Sequence, residues 1–116
     1  MLYRSNKIYV QESSVHGRGV FASDLIKKGE IIEECHVINV PQDLDYPLIL
    51  RRHFFSWPKG EEGLAICLGY GSIFNGSVES PNACWETIIS ENKIVFFSLR
   101  DINPGEEIFT SYTPII

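Results

Sequence analysis

A chain of 116 residues that is 44% hydrophobic, with seven Phe, five Tyr and two Trp, has apolar material for one core. It is too short for two, so a single domain spanning residues 1–116 is expected, folded without disulfide or metal staples. Ten basic against fifteen acidic residues leave a net charge of −5, which argues against a nucleic-acid groove and fits a basic partner better.

Three cysteines, Cys35, Cys67 and Cys84, form no C-x-x-C pair and no Cys–His cluster at zinc spacing, so they read as buried thiols in a reducing compartment. The first seven residues lack the apolar core of a signal peptide, and no apolar run approaches a membrane span. The expectation is a soluble intracellular protein with no membrane role. The acidic pairs Glu33-Glu34, Glu61-Glu62 and Glu106-Glu107 read as solvated surface.

In chain order the apolar pattern is strand-like and short. Residues 7–12 alternate, residues 19–22 follow a glycine turn, and residues 30–38 make a longer strand after Lys28-Gly29. Loops are expected near 41–47 and 56–63 from their Pro, Asp, Gly and Glu content, with a short helical segment over 47–55 ended by Trp57-Pro58. Strands are expected again at 65–68, 83–89, 93–99 and 107–112. Ser90-Glu91-Asn92 reads as a hairpin turn, and Asn103-Pro104-Gly105 as a turn with proline pre-set at its second position. The fold class is mainly β.

Three punctuated segments can carry chemistry. Gly17-Arg18-Gly19 brings backbone close to a ligand because neither glycine presents a side chain, although in isolation it is a tight turn before a strand. It is no dinucleotide fingerprint, lacking the third glycine and following helix. Asn75-Gly76-Ser77, with Pro81-Asn82 downstream, is by itself a polar loop. Tyr112, after Gly105-Glu106-Glu107-Ile108, is by itself a strand tyrosine. His16, His36 and His53 are not at metal-ligand spacing and read as surface or turn residues; no metal is expected.

Taken in this order over residues 7–112, the three segments resemble the SET-domain protein-lysine methyltransferases, particularly the minimal viral and bacterial type. The resemblance implies a SET-domain β-clip of small curved sheets, with a C-terminal segment threaded as a pseudoknot beside the Asn75 strand. It implies S-adenosyl-L-methionine as cofactor, held by Gly17, Arg18, Gly19, Asn75 and Gly76, with Tyr112 as the catalytic tyrosine. Tyr70, Trp85 and Tyr112 are the candidate walls of the substrate channel, with Phe54, Phe55 and Trp57 as further aromatics. The implied substrate is a basic lysine-containing protein or peptide, such as a histone tail, in the cytoplasm or a host nucleus.

Two departures stand out: Gly76 replaces the family's histidine, and the spacer from Asn75 to Pro81 is one residue longer. Larger relatives carry a zinc-binding segment after the tyrosine that is not expected here, so the site is either open or completed by a second subunit in a homodimer. The alternative is a SET-like module that binds a basic peptide without turnover.

The implied chemistry suits such residues. Methyl transfer from a sulfonium to an amine is an in-line displacement needing alignment, exclusion of water and a neutral lysine. A lysine of ordinary pKa costs about 4.6 kcal/mol to neutralise at pH 7. A narrow aromatic channel beside a positive sulfonium lowers that cost by desolvation and like-charge repulsion.

Overall fold

The computed structural model describes residues 2–15, 17–77 and 79–111. Strand β1 (Ile8–Glu12) pairs antiparallel with β2 (Arg18–Ala22). The Ser13 N–H donates to the Gly17 carbonyl at 2.7 Å across their turn. Gly17 sits there at φ 50°, a left-handed conformation that favours glycine.

The main sheet is antiparallel and five-stranded. Its centre is β3 (Ile31–Val40), flanked on one side by β5 (Gly63–Cys67) and β4 (Phe54–Trp57), and on the other by β8 (Lys93–Ser98) and β7 (Ala83–Ile88). A register shift between Ile31 and Glu33 against β8 breaks the alternation of β3. Glu33 therefore faces inward with Cys35 and Val37, and is 1% exposed, which corrects its reading as solvated surface. At the far end Asn92, left-handed at φ 53°, closes the β7–β8 connection, as the turn reading of 90–92 expected.

The expected helix over 47–55 shrinks to one exposed turn, α1 (Leu48–Arg51). Phe54, Phe55 and Trp57 are instead buried on β4, whose residues pair with β5. Pairing and core packing override the weak helical tendency of a Leu- and Arg-rich stretch. Phe55 meets Trp85 and Phe96 edge-on, with ring centroids 5.0 and 5.7 Å apart, and Phe74 lies 4.8 Å from Phe96. These rings anchor a core shared by the β1–β2 pair and the five-stranded sheet, each contributing roughly 1.5–3 kcal/mol by burial. Cys35 and Cys67 are buried and Cys84 half-buried, all as free thiols.

The C-terminal segment is threaded. Its backbone first joins β2: the Gly105 N–H donates to the Ala22 carbonyl at 2.8 Å and the Ile108 N–H to the Val20 carbonyl at 2.8 Å. The expected strand over 107–112 then narrows to β9 (Phe109–Thr110), which pairs in parallel with β6 (Asn75–Gly76). The Asn82 N–H donates to the Phe109 carbonyl and the Ser77 N–H to the Thr110 carbonyl, both at 3.0 Å. Residues 109–110 thus run between the start and the end of loop 76–82. No helix among the described residues is long and apolar enough to cross a membrane.

Candidate active site

Threading gathers the three sequence segments around one buried side chain, Glu107. Its position is fixed by backbone pairing with β2, where it stands opposite Phe21. The carboxylate turns inward, 9% exposed, accepting from Asn75 Nδ2 at 2.6 Å and from Ser13 Oγ at 2.7 Å. Asn75 Nδ2 also reaches the Arg18 carbonyl at 3.3 Å. The surface reading of Glu107 is therefore corrected, since the segment that carries it is drawn under β2 by main-chain bonds.

Gly19 makes this convergence sterically possible. A Cβ there would overlap Glu107 Oε2 and stand 2.9 Å from its Cδ and 3.1 Å from Asn75 Nδ2. The two glycines of Gly17-Arg18-Gly19 are thus needed for different reasons: Gly17 for its φ, Gly19 for space.

Asn82 fastens the same segment from the other side. Fully buried, it donates from Nδ2 to the Glu107 carbonyl at 2.8 Å and accepts at Oδ1 from the Phe109 N–H at 2.7 Å. The sequence reading singled out Pro81-Asn82 as a motif but gave Asn82 no task. A side chain that mimics a strand partner for both edges of a crossing segment is visible only once that segment is threaded.

Two cavities flank β6. One of about 290 Å³ is lined by Gly17, Arg18, Ile49, His53, Ser72, Ile73 and Asn75. The other, about 390 Å³, is lined by residues that include Val15, Gly76, Ser77, Asn82, Arg100 and Glu107. Gly17, Arg18, Asn75 and Gly76 therefore come together around one two-residue strand, and Gly19 packs beneath Asn75.

His53 belongs to this site, which corrects its reading as a surface or turn residue. It is half-buried, and its Nδ1 lies 2.6 Å from the Ser72 carbonyl. A carbonyl only accepts, so Nδ1 carries the proton and Nε2 is the acceptor of the neutral ring. The Ser72 hydroxyl in turn donates to the Cys67 carbonyl. The corner after α1 is thereby tied to the turn that leads into Asn75.

The candidate channel residues lie apart. Tyr70 is half-buried under the Arg4 guanidinium, 4.0 Å from its ring centroid. Its N–H donates to Glu33 Oε2 at 3.2 Å, and Arg4 Nε donates to the same oxygen at 2.7 Å. Burial pushes the Glu33 carboxyl up from the ordinary glutamate range, outweighing the pull of Arg4 and the Tyr70 N–H. The hydrogen bond to Glu33 holds Arg4 above its usual value. A hydrogen bond with Cys35, then burial, pushes the neighbouring Cys67 thiol up as well.

Trp85 is fully enclosed in the core, its indole N–H donating to the Ser111 carbonyl at 2.5 Å. It borders neither cavity beside β6, yet it touches the residue immediately before Tyr112. Tyr112 itself lies outside the described residues.

Small curved sheets with a C-terminal segment threaded beside an upstream loop define the class to which this architecture belongs. The SET domain family model matches residues 17–113, and the chain belongs to the SET-domain family. The activity that membership carries is methyl transfer to the side-chain amine of a protein lysine, for which SET methyltransferases use S-adenosylmethionine.

The relatives agree. A histone-lysine N-methyltransferase specific for H3 lysine-37 from Schizosaccharomyces pombe is 32% identical over 108 residues, covering 89% of this chain and 71% of that protein. The crystal structure of a candidate histone methyltransferase from Plasmodium falciparum superposes with a TM-score of 0.74 at 33% identity, covering 93% of this chain and 94% of that one. An inhibitor-bound Polycomb Repressive Complex 2 of Chaetomium thermophilum, in a humanized mutant form, shares the fold at a TM-score of 0.69 and 23% identity, over 90% of this chain and 14% of that one.

Proposed function

We propose that this chain binds S-adenosylmethionine in the cavities beside β6 and methylates a lysine of a basic protein. The observation that carries this reading is the parallel pairing of β6 with β9, which brings the C-terminal segment beside Asn75 and Gly76, while Asn75 lines one cavity with Gly17 and Arg18.

The residues present fit the cofactor. A Cβ at Gly17 would meet nothing within 4 Å, so the wall there is open backbone. Arg18 brings a cation suited to a carboxylate and Asn75 an amide, itself oriented by Glu107. The smaller cavity, about 290 Å³, approaches the range of small-molecule sites, and the larger one extends it past Gly76. When bound, the group supplies an electrophilic methyl.

The rest is done by the chain. Main-chain groups of residues 17–19 and Asn75 orient the donor. The Tyr112 hydroxyl aligns the incoming amine. The aromatic core around Phe55 and Trp85 anchors the end of the threaded segment, through the Trp85 indole N–H on the Ser111 carbonyl. Net charge of −5 draws a basic peptide to the surface.

The test has two parts. Calorimetric titration with S-adenosylhomocysteine is expected to show binding that is weakened in an Asn75→Ala variant. Recombinant histone H3, chosen because the relatives act on histones, is expected to take up labelled methyl groups from the wild-type chain. Tyr112→Phe is expected to lower kcat while leaving the calorimetric affinity in place. An absence of binding would overturn the cofactor assignment, and an unchanged rate in Tyr112→Phe would overturn the role of the tyrosine.

A further inference from the structure

Among the described residues two acidic side chains are buried, and the fold treats them differently. Glu33 has the Arg4 guanidinium at 2.7 Å. Glu107 has neutral partners, the Asn75 amide at 2.6 Å and the Ser13 hydroxyl at 2.7 Å. No lysine, arginine or histidine among the described residues forms an ion pair with it. Its neighbour Glu106, lining the same cavity, takes Arg100 at 3.2 Å. A buried anion is ordinarily matched by a cation, because hydrogen bonds from neutral groups replace only part of the hydration it has lost. A site built this way attracts a cationic ligand.

Its place in the fold selects the cation. Glu107 lines the larger cavity beside β6, and it holds the Asn75 amide that belongs to the smaller one. Arg18, suited to a carboxylate, stands at the smaller cavity, and Gly76 at the larger. A donor with its carboxylate at Arg18 and its adenosine past Gly76 has its sulfonium, the joint between those halves, at the Asn75–Gly76 strand. Glu107 is the buried charge at that strand. The carboxylate and α-ammonium of the ligand are common to donor and product, so the charge on sulfur is what tells the two apart.

We infer that Glu107 is the countercharge of the donor's sulfonium and makes the site prefer S-adenosylmethionine to its spent product. The inference rests on the cofactor reading above. In the transfer the neutral lysine amine supplies the electron pair of the new N–C bond, and the methyl–sulfur bond breaks with its pair staying on sulfur. Sulfur becomes a neutral thioether and the positive charge passes to the methylated amine. An anion beside sulfur therefore holds the donor and relaxes its hold once the methyl has gone. Because the charge on sulfur is already fading in the transition state, Glu107 contributes to donor affinity and not to the rate of the chemical step.

The test removes the charge and keeps the shape. In Glu107→Gln the new amide can accept from Asn75 and donate to Ser13. The full chain is titrated calorimetrically with sinefungin, an analogue that carries a protonated amine in place of the sulfonium, and with S-adenosylhomocysteine. Wild type is expected to bind sinefungin about tenfold more tightly than S-adenosylhomocysteine, and Glu107→Gln to lose about tenfold for sinefungin while keeping S-adenosylhomocysteine within about threefold. In methylation of histone H3 the variant is expected to raise KM for S-adenosylmethionine about tenfold with kcat within about threefold of wild type.

Equal losses for the two ligands, or a fall in kcat at unchanged KM, would mean that Glu107 only shapes the site and would overturn the inference. The wild-type ratio decides without the variant, should glutamine prevent folding: equal affinities for the two ligands would overturn the inference and leave the cofactor reading standing. Failure of wild type to bind either ligand would instead strike the cofactor reading itself.

Discussion

Replacing Gly19 with alanine tests the geometry on which the site depends. The backbone there accepts any residue, so the new methyl is resisted only by what it meets, the Glu107 carboxylate and the Asn75 amide. Glu107 can move aside only by giving up its bonds to Asn75 and Ser13. Each hydrogen bond to a charged group is worth roughly 1.5–3 kcal/mol, and the lower chain entropy of unfolded alanine returns about 0.4–1 kcal/mol. A net loss of about 2–5 kcal/mol follows, which at a urea slope of about 2 kcal/mol/M is a midpoint shift of roughly 1–2.5 M. Asn75, no longer fixed, is expected to lose S-adenosylhomocysteine affinity by about tenfold, the equivalent of 1.4 kcal/mol. Urea unfolding and calorimetry measure the two effects. Combining the change with Glu107→Ala removes the obstruction, so the double variant should be more stable than the sum of the single losses predicts, with a coupling within the 0.5–3 kcal/mol seen for contacting residues. Strict additivity, or an unchanged midpoint in Gly19→Ala, would refute the steric account.

Asn82→Ala is expected to cost about 2–4 kcal/mol in urea unfolding, since a buried side chain leaves both the Glu107 carbonyl and the Phe109 N–H without their partner. At His53, asparagine can place an amide N–H where Nδ1 donates and glutamine cannot. His53→Asn is therefore expected to keep KM for the methyl donor within about threefold, while His53→Gln and His53→Ala raise it about tenfold, equivalent to one lost hydrogen bond of about 1.4 kcal/mol.

The acid limb of stability divides by residue. Lys93 and then the Tyr3 N–H hold Glu34 below its ordinary value of 4.5 against a smaller effect of burial, and the Asn103 N–H, opposed by burial and helped by Arg100, does the same for Glu106. Depressed carboxyls stabilise above that value and lose the contribution as pH falls through the folded one. Glu33, raised by burial, changes stability in the opposite sense, losing its contribution as pH rises through its folded value. Thermal scans from pH 5 to 3 are thus expected to show a smaller fall in Tm for Glu34→Gln and a larger one for Glu33→Gln than for wild type.

Most of the β structure was legible because it is local. Alternation gave β1, β7 and β8, and turn chemistry at Ser90-Glu91-Asn92 gave the β7–β8 connection. Resemblance supplied the threading, which no local pattern encodes, and identified Gly17, Arg18, Asn75 and Gly76 as neighbours. What stayed hidden depended on long-range placement. Glu33 looks like half of a solvated acidic pair until the bulge in β3 turns it inward to Arg4, and Glu107 looks the same until β2 draws it under Asn75. His53 reaches its partner across 19 residues.

Gly76 is where sequence and structure inform each other most directly. A histidine replaced by glycine at a cofactor segment looks like the loss of a contact, and glycine in a strand costs about 0.5–1 kcal/mol in chain entropy. Yet the strand it belongs to is two residues long, and around position 76 the pairing is main-chain: Gly76 pairs with Thr110, and the next N–H, that of Ser77, donates to the Thr110 carbonyl. The residue that lines the smaller cavity is one position earlier, Asn75, its amide fixed by Glu107 rather than by anything at position 76. Restoring the imidazole with Gly76→His should therefore leave the unfolding free energy in urea within about 1 kcal/mol of wild type, the entropy term alone. Its effect on S-adenosylhomocysteine affinity separates two cases. A gain of tenfold or more would show that the histidine side chain supplies binding that backbone does not, whereas an unchanged affinity would show that the main chain of β6, locked to β9, is the whole of what this position contributes.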